Sequence, residues 1–434
     1  MTPVGAMLGC DPSWWVLALI LFGAVSFIAV FGALFLPDWP EPAYTLGLDE
    51  RPGSEAFVEG VAGMLNVPLL RGGTVKVLQN GDQFYPAMLE ALQGAKDSIN
   101  FEVYIYEPDE VGRQFMDVLM ERARAGIEVR MLLDGFGSWK LKRRHRRELE
   151  SAGVKLERFR PLALRNLVRI YRRTHRRAIV IDGHTGFTGG AAISKKWAGD
   201  TRTRHEWRDS MTRATGPLVN GIQSAFATNW IYCCGEAIAG PRFYPVHDRG
   251  EGPCGVSVVS SPSDAMQPIR LLFWLSFTNA RERLWICSSY FIPDPHLRDA
   301  VKERARAGVD VRILVPGNHT DAIPVQLAGR SYYQELLEAG VRIFEFLPSM
   351  MHAKTVLVDD AWSIVGSANM DERSMELNEE NVLGIADPDV ARTIAEGVER
   401  DIERSREVRL EDWSKRPWWQ RGLETIAKAL LEQY

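Results

Sequence analysis

The sequence predicts an α/β fold built twice in one chain and preceded by a single transmembrane helix. Three observations carry that expectation. The segment "ERARAGIEVRMLLDG" beginning at Glu121 returns as "ERARAGVDVRILVPG" beginning at Glu303, so the chain is a duplication. Ahead of each copy lies a strand-like run and then a helical one, "INFEVYIY" with "VGRQFMDVLMERARAG" and "LWICSSYFI" with "HLRDAVKERARAG". Finally, Trp14 to Leu36 runs for 23 residues without a charge.

That apolar run would be about 35 Å long as a helix, against a hydrocarbon core of roughly 30 Å. Residues 14–36 are therefore expected to span a bilayer once, with Trp14, Trp15 and Trp39 as interfacial anchors. A cleaved signal is disfavoured, because Asp11 precedes the run and no Lys or Arg does. Cys10 comes before the apolar run rather than after it, which argues against a lipidated cysteine. Pro- and Gly-bearing residues 38–70 read as a linker. Repeat 1 is expected over 71–238 and repeat 2 over 254–400, divided by the aperiodic stretch from Gly235 to Pro253. In each, "VRMLLD" or "VRILVP" reads as a buried strand, followed by one more helix and strand and then a histidine-led strand. Residues 401–434 form a tail whose Trp413, Trp418 and Trp419 alternate with Lys415, Arg416 and Arg421, a composition suited to a membrane interface or to packing on the protein itself.

With 434 residues, 46% hydrophobic and 25% charged, the chain suits two ordinary domains and not a polytopic membrane protein. Its five cysteines lack metal-site spacing, so no disulfide framework or zinc cluster is expected, and the catalytic part is placed on the cytoplasmic side of the cell membrane. Net charge is −4, yet Lys140 to Arg177 carries 15 Lys and Arg against three Glu. Such a segment is either a solvated face or a surface for polyanions; beside a membrane anchor, anionic lipid is the expected partner and nucleic acid is not.

The two histidine strands share a skeleton. His175 and His352 lead, Arg177 and Lys354 follow at plus two, Asp182 and Asp359 at plus seven, and Gly189-Gly190 and Gly366-Ser367 at plus fourteen and fifteen. Strand residues i and i+2 share a face, so each imidazole projects with a cation. Two such units suit a phosphodiester: the cations bind its oxygens, one imidazole attacks phosphorus, and the other protonates the departing alcohol. The turn would bring backbone amides near Gly190 and the Ser367 hydroxyl to the phosphate, with Asn369 adding a donor. No metal or cofactor is required. For Asp182 and Asp359 a structural role, capping the turn that ends each strand, is as good a reading as chemistry. His145, His184, His205, His247, His296 and His319 occur singly and read as ordinary polar residues.

"HAKTVLVD" with "GSAN", and "HRRAIVID" with "GG", resemble the paired HxKxxxxD motifs of the phospholipase D superfamily, and "EWRDSMTRATGP", "SSYFIPDPHLRDAV" and "GSANMDERSMELNEEN" resemble its bacterial cardiolipin synthases from about Val75 to Arg400. The resemblance implies two α/β sandwich domains, each a mixed sheet flanked by helices, sharing one active site. It implies a phosphohistidine on His175 with His352 as general acid, an assignment that the symmetry of the two motifs leaves reversible, and a carboxylate behind each ring, at Asp209 and Glu380. The implied reaction moves a phosphatidyl group between phosphatidylglycerol molecules and releases glycerol, with phosphatidylglycerol and cardiolipin as the lipid partners. Hydrolysis in the manner of a phospholipase D, metal-independent cleavage of another phosphodiester, and non-catalytic binding of anionic lipid are the other readings. The first half departs from the pattern at Arg177, where Lys is expected, and at Ala192, the counterpart of Asn369; Arg172, Arg173 and Arg176 stand ready in sequence to compensate.

Overall fold

The computed structural model describes residues 12–35, 44, 49–161, 171–247, 250–263 and 267–431. Cys10, Trp39, Asp11 and parts of the expected linker, of the basic segment and of the tail lie outside the described residues. The chain divides into two units, Met1–Thr45 and Leu46–Tyr434. The first contains α1, Pro12–Phe35, whose side chains from Trp14 to Phe22 are exposed. Side chains of α1 are described over 14–28, and among the described residues no helix is long and apolar enough to cross a membrane.

The second unit opens with α2 (Glu55–Leu65) and β1 (Leu70–Arg71). Its first half continues with β2 (Val75–Gln79), α3 (Gly81–Gln93), β3 (Ser98–Val103), α4 (Glu110–Arg124), β4 (Glu128–Asp134), α5 (Arg143–Ser151) and β5 (Lys155–Phe159). It closes with β6 (Ala178–Ile181), β7 (Thr185–Gly189), β8 (Ser210–Thr215) and α6 (Leu218–Cys234). The second half runs β9 (Cys254–Ser260), α7 (Pro268–Thr278), β10 (Arg283–Cys287), α8 (Pro295–Arg306), β11 (Asp310–Pro316), α9 (Ile323–Arg330) and α10 (Tyr333–Glu338). Then come β12 (Arg342–Phe346), β13 (Thr355–Val358), β14 (Trp362–Gly366), β15 (Glu380–Ala386) and α11 (Pro388–Glu403). Finally β16 (Ser405–Val408), α12 (Leu410–Ser414) and α13 (Trp418–Leu431) complete it.

The duplication is visible strand by strand. The first sheet is ordered β2-β8-β7-β6-β3-β4-β5, and the second repeats that order as β9-β15-β14-β13-β10-β11-β12, with β1 and β16 added at its edges. In both, the second to fourth strands in chain order are parallel (β3-β4-β5, β10-β11-β12) and the histidine-led strand turns antiparallel onto the first of them. The parallel trio needs helical crossovers, and the sequence supplies them. In α4, Val111, Phe115, Val118 and Leu119 recur on one buried face, Asp109 caps the start through the Gly112 N–H, and Gly126 at φ +90° turns the chain out.

One core is shared between the halves. Phe226 and Trp230 of α6 and Ile394 and Val398 of α11 are buried with Val180 of β6 and Leu357 of β13 in a single cluster. Each of these helices touches the opposite sheet, α6 on β9 and α11 on β2. The halves are therefore packed as one body, which is what lets two distant motifs form one site.

The stretch expected as linker holds α2, which buries Phe57, Val58 and Val61, with the Phe57 ring edge-on to Trp362 at 5.3 Å. Its last residue, Leu70, pairs with Gly255 of β9. In the tail, Trp413 is buried on Tyr333, ring centroids 5.0 Å apart, while Trp418 and Trp419 of α13 are exposed. Trp413 thus packs on the protein itself, one of the two uses the composition of the tail allows.

Candidate active site

The histidines sit where the two sheets meet, and each is tied to the other half by its own backbone. His175 N–H donates to the Glu379 carbonyl (2.8 Å), and His352 N–H to the Arg208 carbonyl (2.7 Å). Each bond belongs to a short parallel bridge, Thr174 with Glu379 and Arg208 with Met351. The residue after each of those acceptors is the carboxylate, so the couples are crossed between halves. His175 Nδ1 lies 2.9 and 3.0 Å from the two oxygens of Glu380, and His352 Nδ1 lies 2.6 Å from Asp209 Oδ2. A proton on each Nδ1, held by its carboxylate, fixes the tautomer and leaves Nε2 for substrate.

The charges are buried around these rings. Burial, reinforced by Arg177, pushes the His175 pKa down to about 3; burial and then Lys354 push His352 down to about 4. Both rings are therefore neutral at pH 7. Burial also brings Lys354 down to about 7, partly offset by Asp209. For Asp209 and Glu380 burial acts upward, but each is held below its ordinary value by its own histidine. Five ionisable groups confined together, with Arg177 added, will respond strongly to one phosphodiester charge placed among them.

Lys354 Nζ donates to Ser289 Oγ (2.6 Å) and to the His352 carbonyl (2.6 Å). It is also 3.2 Å from His352 Nδ1 and 3.3 Å from Nε2; since Nδ1 gives its proton to Asp209, Nε2 is the ring nitrogen that can accept from the ammonium until substrate takes its place. Arg177 is fully buried; Nη1 donates to the His175 carbonyl, while Nη2 has no partner among the described residues. A buried guanidinium N–H left unmade is costly, and a bound phosphate oxygen would satisfy it.

Several residues expected at the phosphate are engaged elsewhere. Ser367 Oγ donates to Glu380 Oε2, and its N–H goes to the Asn381 carbonyl, so Ser367 seats the carboxylate behind His175 and does not face a phosphate. Gly190 N–H likewise goes to the Ser210 carbonyl; a Cβ at Gly190 would lie 2.2 Å from Asp209 Oδ1, so this glycine makes room for the other carboxylate. Asn369 is different: among the described residues its Nδ2 makes no hydrogen bond and can donate to a phosphate, whereas its buried Oδ1, also without a partner, is an acceptor and cannot. Asp182 and Asp359 are not brought to the site. They end their strands about 20 Å from the histidines, at φ +53° and +51°, and accept the backbone N–H groups of Lys96, Asp97 and Ser98, and of Arg281, Glu282 and Arg283. Each carboxylate closes the loop entering the neighbouring strand, because only an αL turn aims it back at three converging donors. Nor do Arg173 and Arg176 compensate: Arg173 is spent on Asp134 and Arg176 on Glu379, both buried.

Sequence reasoning missed the aromatic walls and Ser289. Tyr104 stands edge-on to His175 (5.1 Å), and Trp197 and Trp207 flank His352 at 5.1 and 5.5 Å; the Trp197 indole N–H also donates to Asp209 (2.8 Å). Aligning the repeats places Tyr104 opposite Ser289, so comparison of "VYIY" with "SSYF" was the available signal.

With this geometry in hand, the comparisons are specific. A family model described as "Cardiolipin synthase, PLD-like domain" matches residues 88–206 and 276–402. The cardiolipin synthase of Alkalihalophilus pseudofirmus is 37% identical over 84% of this chain and 73% of its own length. The chain belongs to the cardiolipin synthase family of phospholipase D-like proteins. Cardiolipin synthase 2 of Bacillus anthracis is 36% identical over 82% of this chain and 70% of its own. Among solved structures, the phosphatidylserine synthase of Haemophilus influenzae aligns with TM-score 0.65 at 15% identity, over 87% of this chain and 98% of that one, which establishes a common fold. The duplicated mixed sheets are thus those of the family, and both histidines, Lys354 and both backing carboxylates lie within or beside the matched segments.

Proposed function

We propose that this chain is a phosphatidyltransferase that makes cardiolipin from two phosphatidylglycerol molecules. The observation that carries the reading is the pair of crossed histidine–carboxylate couples with Arg177 and Lys354 between them. With the phosphodiester bound, His352 carries a second proton, on Nε2; His175 Nε2 attacks phosphorus of the first phosphatidylglycerol, the bond to glycerol breaks, and His352 gives the departing oxygen that proton and becomes neutral. Neutral His352 then takes the proton from a terminal hydroxyl of the second phosphatidylglycerol as that oxygen attacks phosphorus, and His175 leaves as the neutral ring. The two histidines are depressed to a similar degree, so the assignment of nucleophile and acid rests on family resemblance.

The phosphodiester charge offsets Arg177 and Lys354 and so raises the affinity of His352 for the proton it must deliver. Arg177 Nη2, Lys354 and Asn369 are the groups assigned to the non-bridging oxygens. We further infer that α1 is a single-pass anchor in the cell membrane with the catalytic unit in the cytoplasm, supported by the 23 uncharged residues from Trp14 to Leu36. Purified full chain in phosphatidylglycerol vesicles should form cardiolipin and glycerol in equal amounts. Phosphatidic acid as the sole lipid product would instead make it a hydrolase.

A further inference from the structure

The turn that follows β4 holds two aromatic side chains in water beside the catalytic centre. Phe136 is 51% and Trp139 64% exposed, while Ser138 and Leu141 between and after them are buried. The turn is not loose. Asp134, fully buried, accepts the N–H groups of Phe136 (2.7 Å) and Gly137 (2.9 Å) and the Thr174 N–H, and pairs with Arg173. Ser138 Oγ donates to the Asp134 carbonyl (2.5 Å), and Gly137 fits against Tyr104 so closely that a Cβ would lie 2.2 Å from the Tyr104 carbonyl oxygen. Tyr104 in turn touches His175. A buried ion pair therefore fixes both the approach to His175 and the outward set of Phe136 and Trp139.

From Trp139 a line of charged and aromatic groups leads to the other histidine. Lys140 lies over the Trp139 ring and pairs with Glu107 (2.9 Å); Lys196 pairs with the same Glu107 (3.7 Å) and lies over Trp207, which contacts His352. Two half-exposed lysines share one carboxylate, and exposed Lys142, Arg143 and Arg144 follow at the start of α5. In the second half, Ile323, 63% exposed, opens α9 at the corresponding place after β11. Exposed aromatic rings held rigidly at the lip of a site, backed by more cations than the one carboxylate they share can balance, match the boundary between acyl chains and anionic headgroups.

We propose that the Gly135–Leu141 turn is a wedge that inserts Phe136 and Trp139 into an anionic phospholipid bilayer, with Lys140 and Lys196 on the phosphates, so that the histidines face headgroups from the lipid plane. The proposal rests on the phosphatidyltransferase reading for its substrate but not for its partner. In full chain reconstituted in mixed phosphatidylglycerol and phosphatidylcholine vesicles, a fluorophore at position 136 should be quenched by nitroxide-bearing lipids; absence of quenching overturns the wedge whatever the catalysis. The double substitution Phe136→Ser with Trp139→Ser should lower turnover of vesicle phosphatidylglycerol about tenfold or more, while monomeric short-chain phosphatidylglycerol is turned over within about twofold of wild type. Equal loss on both substrates would also overturn it, since the turn would then serve the catalytic centre. Quenching in a wild-type protein that turns over neither substrate would leave the wedge standing and remove the phosphatidyltransferase reading.

Discussion

The two halves of this molecule have the same strand order and different chemistry around their histidines. In the second half, Ser367 seats the long carboxylate of Glu380 and Ser289 holds Lys354; in the first, Gly190 makes room for the shorter Asp209, Tyr104 replaces the serine and Arg177 the lysine. Because each carboxylate crosses to the opposite ring, neither half owns a complete catalytic couple. Backbone symmetry places two imidazoles about one space, and side-chain asymmetry gives them different surroundings. The departure at Arg177 keeps a buried cation with a donor in reserve, as a phosphate ligand would have.

The comparison can be broken most sharply at the histidines. Loss of either ring should lower turnover of phosphatidylglycerol by about 1,000-fold or more. Only His352→Ala should be rescued by a phosphatidyl donor carrying a nitrophenolate leaving group, because that departure needs no proton. Rescue of His175→Ala instead would exchange the two roles.

Next come the seats of the carboxylates. Gly190→Ala drives a methyl into Asp209 and should cost about 100-fold in kcat, whereas Ser367→Ala removes one hydrogen bond from Glu380 and should cost about tenfold. Kinetics on both variants, with unfolding curves to confirm the fold, decide the order; a larger effect at Ser367 would contradict the steric account of Gly190.

The cations predict a difference in pH dependence. Lys354, pushed down to about 7 by burial, loses charge as pH rises, so kcat/KM should fall above about pH 7. In Lys354→Arg that limb should move upward, at a several-fold lower maximum; Arg177→Lys should create a second titrating amine and sharpen the alkaline fall. An unmoved limb in Lys354→Arg would remove Lys354 as its origin.

The smallest effect on chemistry is expected at the motif aspartates. Asp182→Ala and Asp359→Ala each strip an acceptor from three backbone N–H groups and should lower stability by about 1–3 kcal/mol, with kcat of the folded fraction within about twofold of wild type. Thermal unfolding beside active-site titration separates the two, and a kcat collapse in folded Asp359→Ala would return that residue to the catalytic machinery.

Much of the fold was legible because its signals are local and repeated. The ERARAG helices end in glycine, the buried strands read as apolar runs, and the His strands align to the residue. Helix α2 was not legible, since its Phe57 and Val58 gain their burial only against Trp362, some three hundred residues away. At the site, His175, Arg177, His352 and Lys354 were legible from the i, i+2 rule. Ser367 and Gly190 were placed correctly in register but given the wrong partner, because sequence spacing cannot tell a hydroxyl facing substrate from one facing a carboxylate.

By itself the sequence determined the duplication, the two histidine strands, the cations beside them and the two acidic residues available to back them. The tertiary structure decided which carboxylate serves which ring. That choice depends on α6 and α11 packing between the sheets, which brings the strand after Arg208 to His352 and the strand after Arg173 to Glu380. Pairing of this kind is set by burial of a common core, and no periodicity within either half encodes it.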